Sequence, residues 1–214
     1  MARTLRSFVV LSACALCVVP LWGSPAPRVE SPAPEAKSPI QSQIFDFVLS
    51  GKVDDVKATL ASDPSQADLV GPGGMTPLGI ALSRRNLALV QALLDGGADP
   101  NKPFGPLQMH PIQGAAASGN LDAVKALLAK KADPNGKDVN GGTALHAATL
   151  YKNVDIARLL ADRDGDVNAA FAAGPNLGAT PLHFAARSKS IDLVMAVTVA
   201  RSDWSLKWNE RTPA

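Results

Sequence analysis

The chain has 214 residues, 46% of them hydrophobic and only 5% aromatic, which fits one ordinary domain or a short repeat array with a core of Ala, Leu and Val. Its formal charge of +2 arises in the first 39 residues, where Arg3, Arg6, Arg28 and Lys37 outnumber Glu30 and Glu35; the remainder is balanced, which argues against nucleic acid or an anionic membrane surface as partner. Both cysteines, Cys14 and Cys17, lie in that same leader, so the body excludes disulfides, thiolate metal sites and cysteine nucleophiles.

Residues 1–23 read as an export signal. Arg3 and Arg6 supply a positive start, and residues 7–22 are apolar and uncharged, short of the roughly 20 residues a bilayer-spanning helix needs. Two forms of signal stay open: a cleaved secretory peptide, and a lipoprotein signal in which Leu11-Ser12-Ala13-Cys14 resembles a bacterial lipobox with Cys14 as the lipidated residue. Residues 24–39, SPAPRVESPAPEAKSP, have too little apolar material to order themselves and are expected to act as a semi-extended tether.

From residue 40 onward the chain repeats itself. Four segments align: Met75-Thr76-Pro77-Leu78-Gly79-Ile80-Ala81, Met109-His110-Pro111-Ile112-Gln113-Gly114-Ala115, Gly142-Thr143-Ala144-Leu145-His146-Ala147-Ala148 and Ala179-Thr180-Pro181-Leu182-His183-Phe184-Ala185. A second block follows in phase, beginning Asn86-Leu87, Asn120-Leu121, Asn153-Val154 and Ser190-Ile191. A third closes the units with Ala98-Asp99-Pro100-Asn101, Ala132-Asp133-Pro134-Asn135 and Gly165-Asp166-Val167-Asn168. The units run over 75–108, 109–141, 142–178 and 179–201. A divergent unit at 40–74, with Ile44, Phe47 and Val48 on its first helix, is expected to cap the array; residues 202–214 read as the start of a fifth repeat or a tail, with Trp204, Leu206 and Trp208 as a substitute cap.

The local chemistry predicts two helices per unit. Thr76 and Thr180 are suited to N-cap positions. Pro77, Pro111 and Pro181 follow at the first helical position, where a missing N–H costs nothing. The first helix is short and Ala-rich; the second carries an aliphatic stripe at i, i+3 and i+4 for burial against its neighbour. Gly96-Gly97 is expected to end the second helix in the left-handed region. Lys130-Lys131 and Arg163-Asp164 stand at the same place, so those ends are expected to be strained or differently shaped.

These residues resemble the ankyrin repeat, with its T-P-L-H-x-A signature and period near 33, over about residue 41 to the end. The resemblance implies an all-α solenoid of antiparallel helix pairs with β-turn loop fingers. It also implies that His146 and His183 each bridge the signature Thr hydroxyl and a neighbouring loop's backbone.

Catalytic readings fail residue by residue. His146 and His183 sit one per unit, about 10 Å apart, and His110 replaces the signature Thr; no cluster has metal-ligand spacing. Asp99, Asp133 and Asp166 recur at one repeat position and read as turn residues. Ser83, Ser118 and Ser188 sit near no nucleophile elbow. Gly71-Pro72-Gly73-Gly74 lacks a phosphate-binding Lys-Ser/Thr and reads as a turn tip. No enzyme activity, cofactor or metal is expected.

The resemblance places binding on the concave face, formed by fingers and first-helix ends. The candidate contacts there are Arg84, Phe104, Val139, Leu150, Tyr151, Phe171 and Arg187, aromatic, aliphatic and Arg side chains of the kind that dominate interface energies. The expected function is an exported, monomeric protein-binding module in the periplasm or at the cell surface. Roles implied by the resemblance, such as supporting antioxidant enzymes, include protecting or inhibiting an exported enzyme. The alternative is a lipid-anchored envelope scaffold tethered through Cys14.

Overall fold

In the computed structural model residues 39–199 are described; the export signal, nearly all of the proline-rich tether, Cys14 and the tail with its three apolar residues lie outside them. Among the described residues ten α-helices pair in chain order: α1 (Pro39–Ser50) with α2 (Val53–Ser62), α3 (Pro77–Ser83) with α4 (Leu87–Asp95), α5 (Pro111–Ser118) with α6 (Leu121–Ala129), α7 (Ala144–Leu150) with α8 (Val154–Asp162), and α9 (Pro181–Arg187) with α10 (Ile191–Val199). Odd-numbered helices α3, α5, α7 and α9 stack on one another in one layer, while α2, α4, α6, α8 and α10 make the other. Among the described residues no strand forms beyond one antiparallel bridge, Phe104 to Met109. None of the described helices is long and apolar enough to cross a membrane.

The start signals act as their chemistry requires. Thr76 is extended, and its Oγ1 accepts from the Gly79 N–H at 3.0 Å, with Pro77 next in line. Asn86 and Asn120 cap α4 and α6, accepting from Leu89 and Ala123 at 3.2 and 3.0 Å. The second helices then bury their stripes: Leu89, Val90 and Leu93 of α4, Val124 and Leu127 of α6, and Ile156 and Leu160 of α8 lie in one continuous core with Ile44, Val48, Leu78, Leu82, Ile112 and Leu145. Each such buried side chain contributes about 1.5–3 kcal/mol. Ala115, Ala116, Ala144 and Ala148 are fully buried between the odd-numbered helices, where a larger side chain would force the layers apart.

Between units the backbone is stitched at both ends. At the finger end, Gly105 donates to Gly74, Val139 to Leu107 and Ala172 to Asn140, at 2.8, 3.1 and 2.8 Å. Beyond the second helices, Asn101 accepts from Asp133 N–H at 2.7 Å and donates to the Lys131 carbonyl at 3.2 Å; Asn135 repeats this with Asp166 and Asp164 at 2.6 and 2.9 Å. Asp99, Asp133 and Asp166 each close an Asx turn onto the N–H two residues on, at 2.8–2.9 Å.

The ends of the second helices keep a common shape. Gly97 is left-handed at φ 97, and Lys131 and Asp164 adopt φ 66 and 65 at the equivalent places, so the strain falls on side chains that oppose it. A left-handed L-residue costs about 1–2 kcal/mol, and glycine's greater unfolded-chain freedom offsets roughly half of that. Lys131→Gly is therefore expected to raise the unfolding free energy by about 0.5–1 kcal/mol in urea denaturation; a loss of stability would show that the Lys131 side chain matters more than its backbone.

Candidate functional site

The odd-numbered helices deliver their last residues and the following turns to one side of the stack, and it is there that most of the expected contacts appear. Leu150 ends α7 and Tyr151 caps it; both are exposed, at 43% and 58%. Arg187 ends α9, and its guanidinium lies 5.2 Å from the centre of the Phe184 ring. Leu150, Phe184 and Arg187, with Thr149, Lys152 and Ser188, line an open hollow of about 250 Å³. Arg84 caps α3 and is exposed, two helices further along the same layer. Val139 stands 55% exposed in the finger that closes the second repeat, while its backbone N–H ties that finger to Leu107. A larger hollow, about 470 Å³, lies between α2 and α4 and is lined by Lys57, Leu60, Pro64, Asp95 and Gly96 among others.

Phe104 requires a correction: it is a core residue, 7% exposed, and not a surface contact. The reason lies in two glycines, one in its own repeat and one in the next. Gly79 stands where the third and fourth repeats have His, and a Cβ there would come within 2.6 Å of the Phe104 ring. A Cβ on Gly114 would meet the same ring at 3.0 Å. Phe104 thus fills the space that two missing side chains leave, and its finger bonds to Met109 through both backbone groups at 3.0 Å fix it there.

Phe171 is only half-buried, but much of its ring is used inside the array. It stacks at 4.5 Å on His146 of its own unit and 5.9 Å from Phe184 of the next, holding its finger against the helices. His146 is at the centre of this cluster, 2% exposed. Its Nδ1 accepts from the Thr143 N–H at 3.2 Å and lies 3.0 Å from the Thr143 hydroxyl; its Nε2 donates to the Ala179 carbonyl, 3.1 Å away in the next repeat. The backbone donor fixes the tautomer. Burial pushes the imidazole below its ordinary value, opposed by the Ala179 hydrogen bond and by the carboxylates of Asp138 and Asp166.

In the second repeat Gln113 takes the same position, accepting from His110 N–H at 2.6 Å and donating to the Gly142 carbonyl. His183 reaches Thr180 alike, at 3.1 and 2.8 Å. His146 is therefore part of the inter-repeat stitching, whereas the bonds of His183 to Thr180 stay within its own repeat. Sequence reasoning missed Lys152, an exposed turn residue, and Phe184, a buried ring inside a signature; only stacking α7 on α9 brings them to one hollow.

This arrangement offers exposed Leu150 beside the cations Lys152 and Arg187, with no convergent acid–base pair in the hollow. Ankyrin repeats (3 copies) match residues 112–199, and a further ankyrin repeat matches residues 73–102. No curated protein matches the chain. Ankyrin repeats generally mediate binding to other proteins and are typically non-catalytic. With in-phase caps, paired helices, stitched fingers and family matches over more than half its length, this chain belongs to the ankyrin-repeat family.

Proposed function

We propose that this chain is an exported, non-catalytic protein-binding module that acts as a monomer in the periplasm or at the cell surface. Its partner docks on the concave, odd-helix side of the array, and the binding protects or inhibits an exported enzyme. One observation carries the reading: Leu150 and Tyr151 stand exposed at the end of α7, and Leu150 lines an open hollow with Lys152 and Arg187. Large apolar side chains grouped at a hollow are what an interface core needs. Export rests on the leader's Arg3, Arg6 and the uncharged residues 7–22, and a Cys14-linked anchor would place the same binding face at the membrane.

A Leu150→Ala, Tyr151→Ala double variant is expected to lose at least about tenfold in partner recovery from envelope extract with an unchanged melting temperature, because both side chains are exposed. Equal recovery of the same partners by variant and wild type would contradict the reading.

A further inference from the structure

We propose that the segment docking at the α7–α9 hollow is an acidic stretch of protein chain, in which a carboxylate sits next to an apolar side chain. The inference rests on the binding face proposed above and names the chemistry of what binds there.

The near-neutral balance of the array conceals a separation of charge. Across α3, α5, α7 and α9 and their following turns, residues 77–86, 111–120, 144–153 and 181–190, the charged residues are Arg84, Arg85, Lys152, Arg187 and Lys189, with no Asp or Glu; α1 at the start of the array carries Asp46. The helices of the other layer, α4, α6, α8 and α10, carry Asp95, Asp122, Asp155, Asp162 and Asp192 against Lys125 and Arg158. All five cations of the first set are exposed. The ion pairs among the described residues join Lys52 to Asp55, Lys125 to Asp122 and Lys130 to Asp95, and none of the five cations takes part in them.

Helix carbonyl ends favour cations wherever they occur, so charge at these turns has a local cause as well. The hollow adds what that cause does not require. Leu150, 43% exposed, supplies apolar surface above the buried Phe184 ring, Lys152 and Arg187 stand at its edge, and Thr149 and Ser188 complete the lining without an acid. Arg187 is held over the Phe184 ring, which leaves its planar fork oriented to meet a carboxylate through two parallel hydrogen bonds. Lys152 holds a left-handed backbone at φ 59, where the second repeat has Gly119 at φ 73, so a long cation occupies a turn that suits glycine. A ligand that satisfies both parts of this site pairs a carboxylate with Arg187 and Lys152 and buries a neighbouring apolar side chain against Leu150 and the adjacent Tyr151. Nucleic acid fits less well, because phosphate binding does not use an apolar floor and the array as a whole is not basic.

The test is selection of peptides of about 12 residues from a random displayed library against the full chain. The expected outcome is enrichment of Asp or Glu beside Leu, Met, Phe or Trp. Binding of the enriched peptides should fall at least about tenfold in a Lys152→Gln, Arg187→Gln variant, recover in part with Arg187→Lys alone, and be unchanged in Lys125→Gln, Arg158→Gln. Enriched peptides without acids that still depend on Leu150 and Tyr151 would overturn the acidic partner and leave the binding face standing. Peptides indifferent to every one of these substitutions would overturn both. Binding of a single-stranded oligodeoxynucleotide as tight as that of the best peptide would overturn the inference in favour of a nucleic acid. Melting temperatures of the variants, all of exposed residues, separate lost binding from lost folding.

Discussion

Phe104→Ala is expected to lower the unfolding free energy by about 3–4 kcal/mol, the range for truncating a buried phenylalanine. The ring is 7% exposed and is the only filling for the space beside Gly79 and Gly114, and neighbouring backbone cannot collapse into the gap while its hydrogen bonds to Met109 and Gly74 hold the finger open. A second substitution makes the argument specific. Gly79→His alone places a side chain where the ring already sits, since even a Cβ would come within 2.6 Å, and should cost at least about 1–3 kcal/mol through overpacking. Combined with Phe104→Ala, the same histidine enters vacated space, in the position His146 and His183 occupy in their repeats. The double variant should therefore be more stable than the sum of the single losses implies, by at least about 1 kcal/mol. Urea denaturation of the four chains checks this, and strict additivity would show that Phe104 and Gly79 do not share a cavity.

His146→Ala is expected to cost about 3 kcal/mol, because it leaves the Thr143 N–H and the Ala179 carbonyl without their partner and removes the ring on which Phe171 stacks. It should also change how stability depends on pH. Burial lowers the imidazole's proton affinity in the folded chain, whereas in the unfolded chain it titrates near its ordinary value, about 6.5. As pH falls through that value the unfolded chain takes up the proton first. The contribution of neutral His146 is thus complete above about pH 6.5 and is lost progressively below it, down to the lowered folded value. The wild type should lose stability between about pH 7 and pH 5 more steeply than the alanine variant, whose remaining histidines, His110 and His183, are common to both. Parallel curves for the two proteins would remove His146 as the cause.

The two substitutions also show where sequence reasoning reaches and where it stops. Helix starts were legible because capping is local: Thr76, Pro77 and Asn86 each act within three residues of themselves. The strained helix ends at Lys131 and Asp164 were legible by alignment to Gly97. Left-handed turns at Arg85, Lys152 and Lys189 had the same kind of signal in Gly51 and Gly119, which align with them. Phe104 was not legible as core, because its burial depends on glycines in two separate repeats whose absent side chains leave no pattern of their own. The single available signal was Gly79 standing in the histidine position. Exposed Leu150, Tyr151 and Arg187 followed from their place in the repeat, but the hollow they share needed the stacking of α7 on α9, and its cationic character shows only when charges are sorted by layer.

The most direct measurement of the central claim, that the partner docks on the odd-helix side, is site-specific photo-cross-linking in the full chain. A photoreactive residue at Tyr151 is compared with one at Arg158, which is equally exposed but on α8 in the other layer. The account predicts a partner adduct from position 151, abolished when Leu150→Ala is added, and none from position 158. An adduct from position 158 alone, or equal adducts from both, would contradict it.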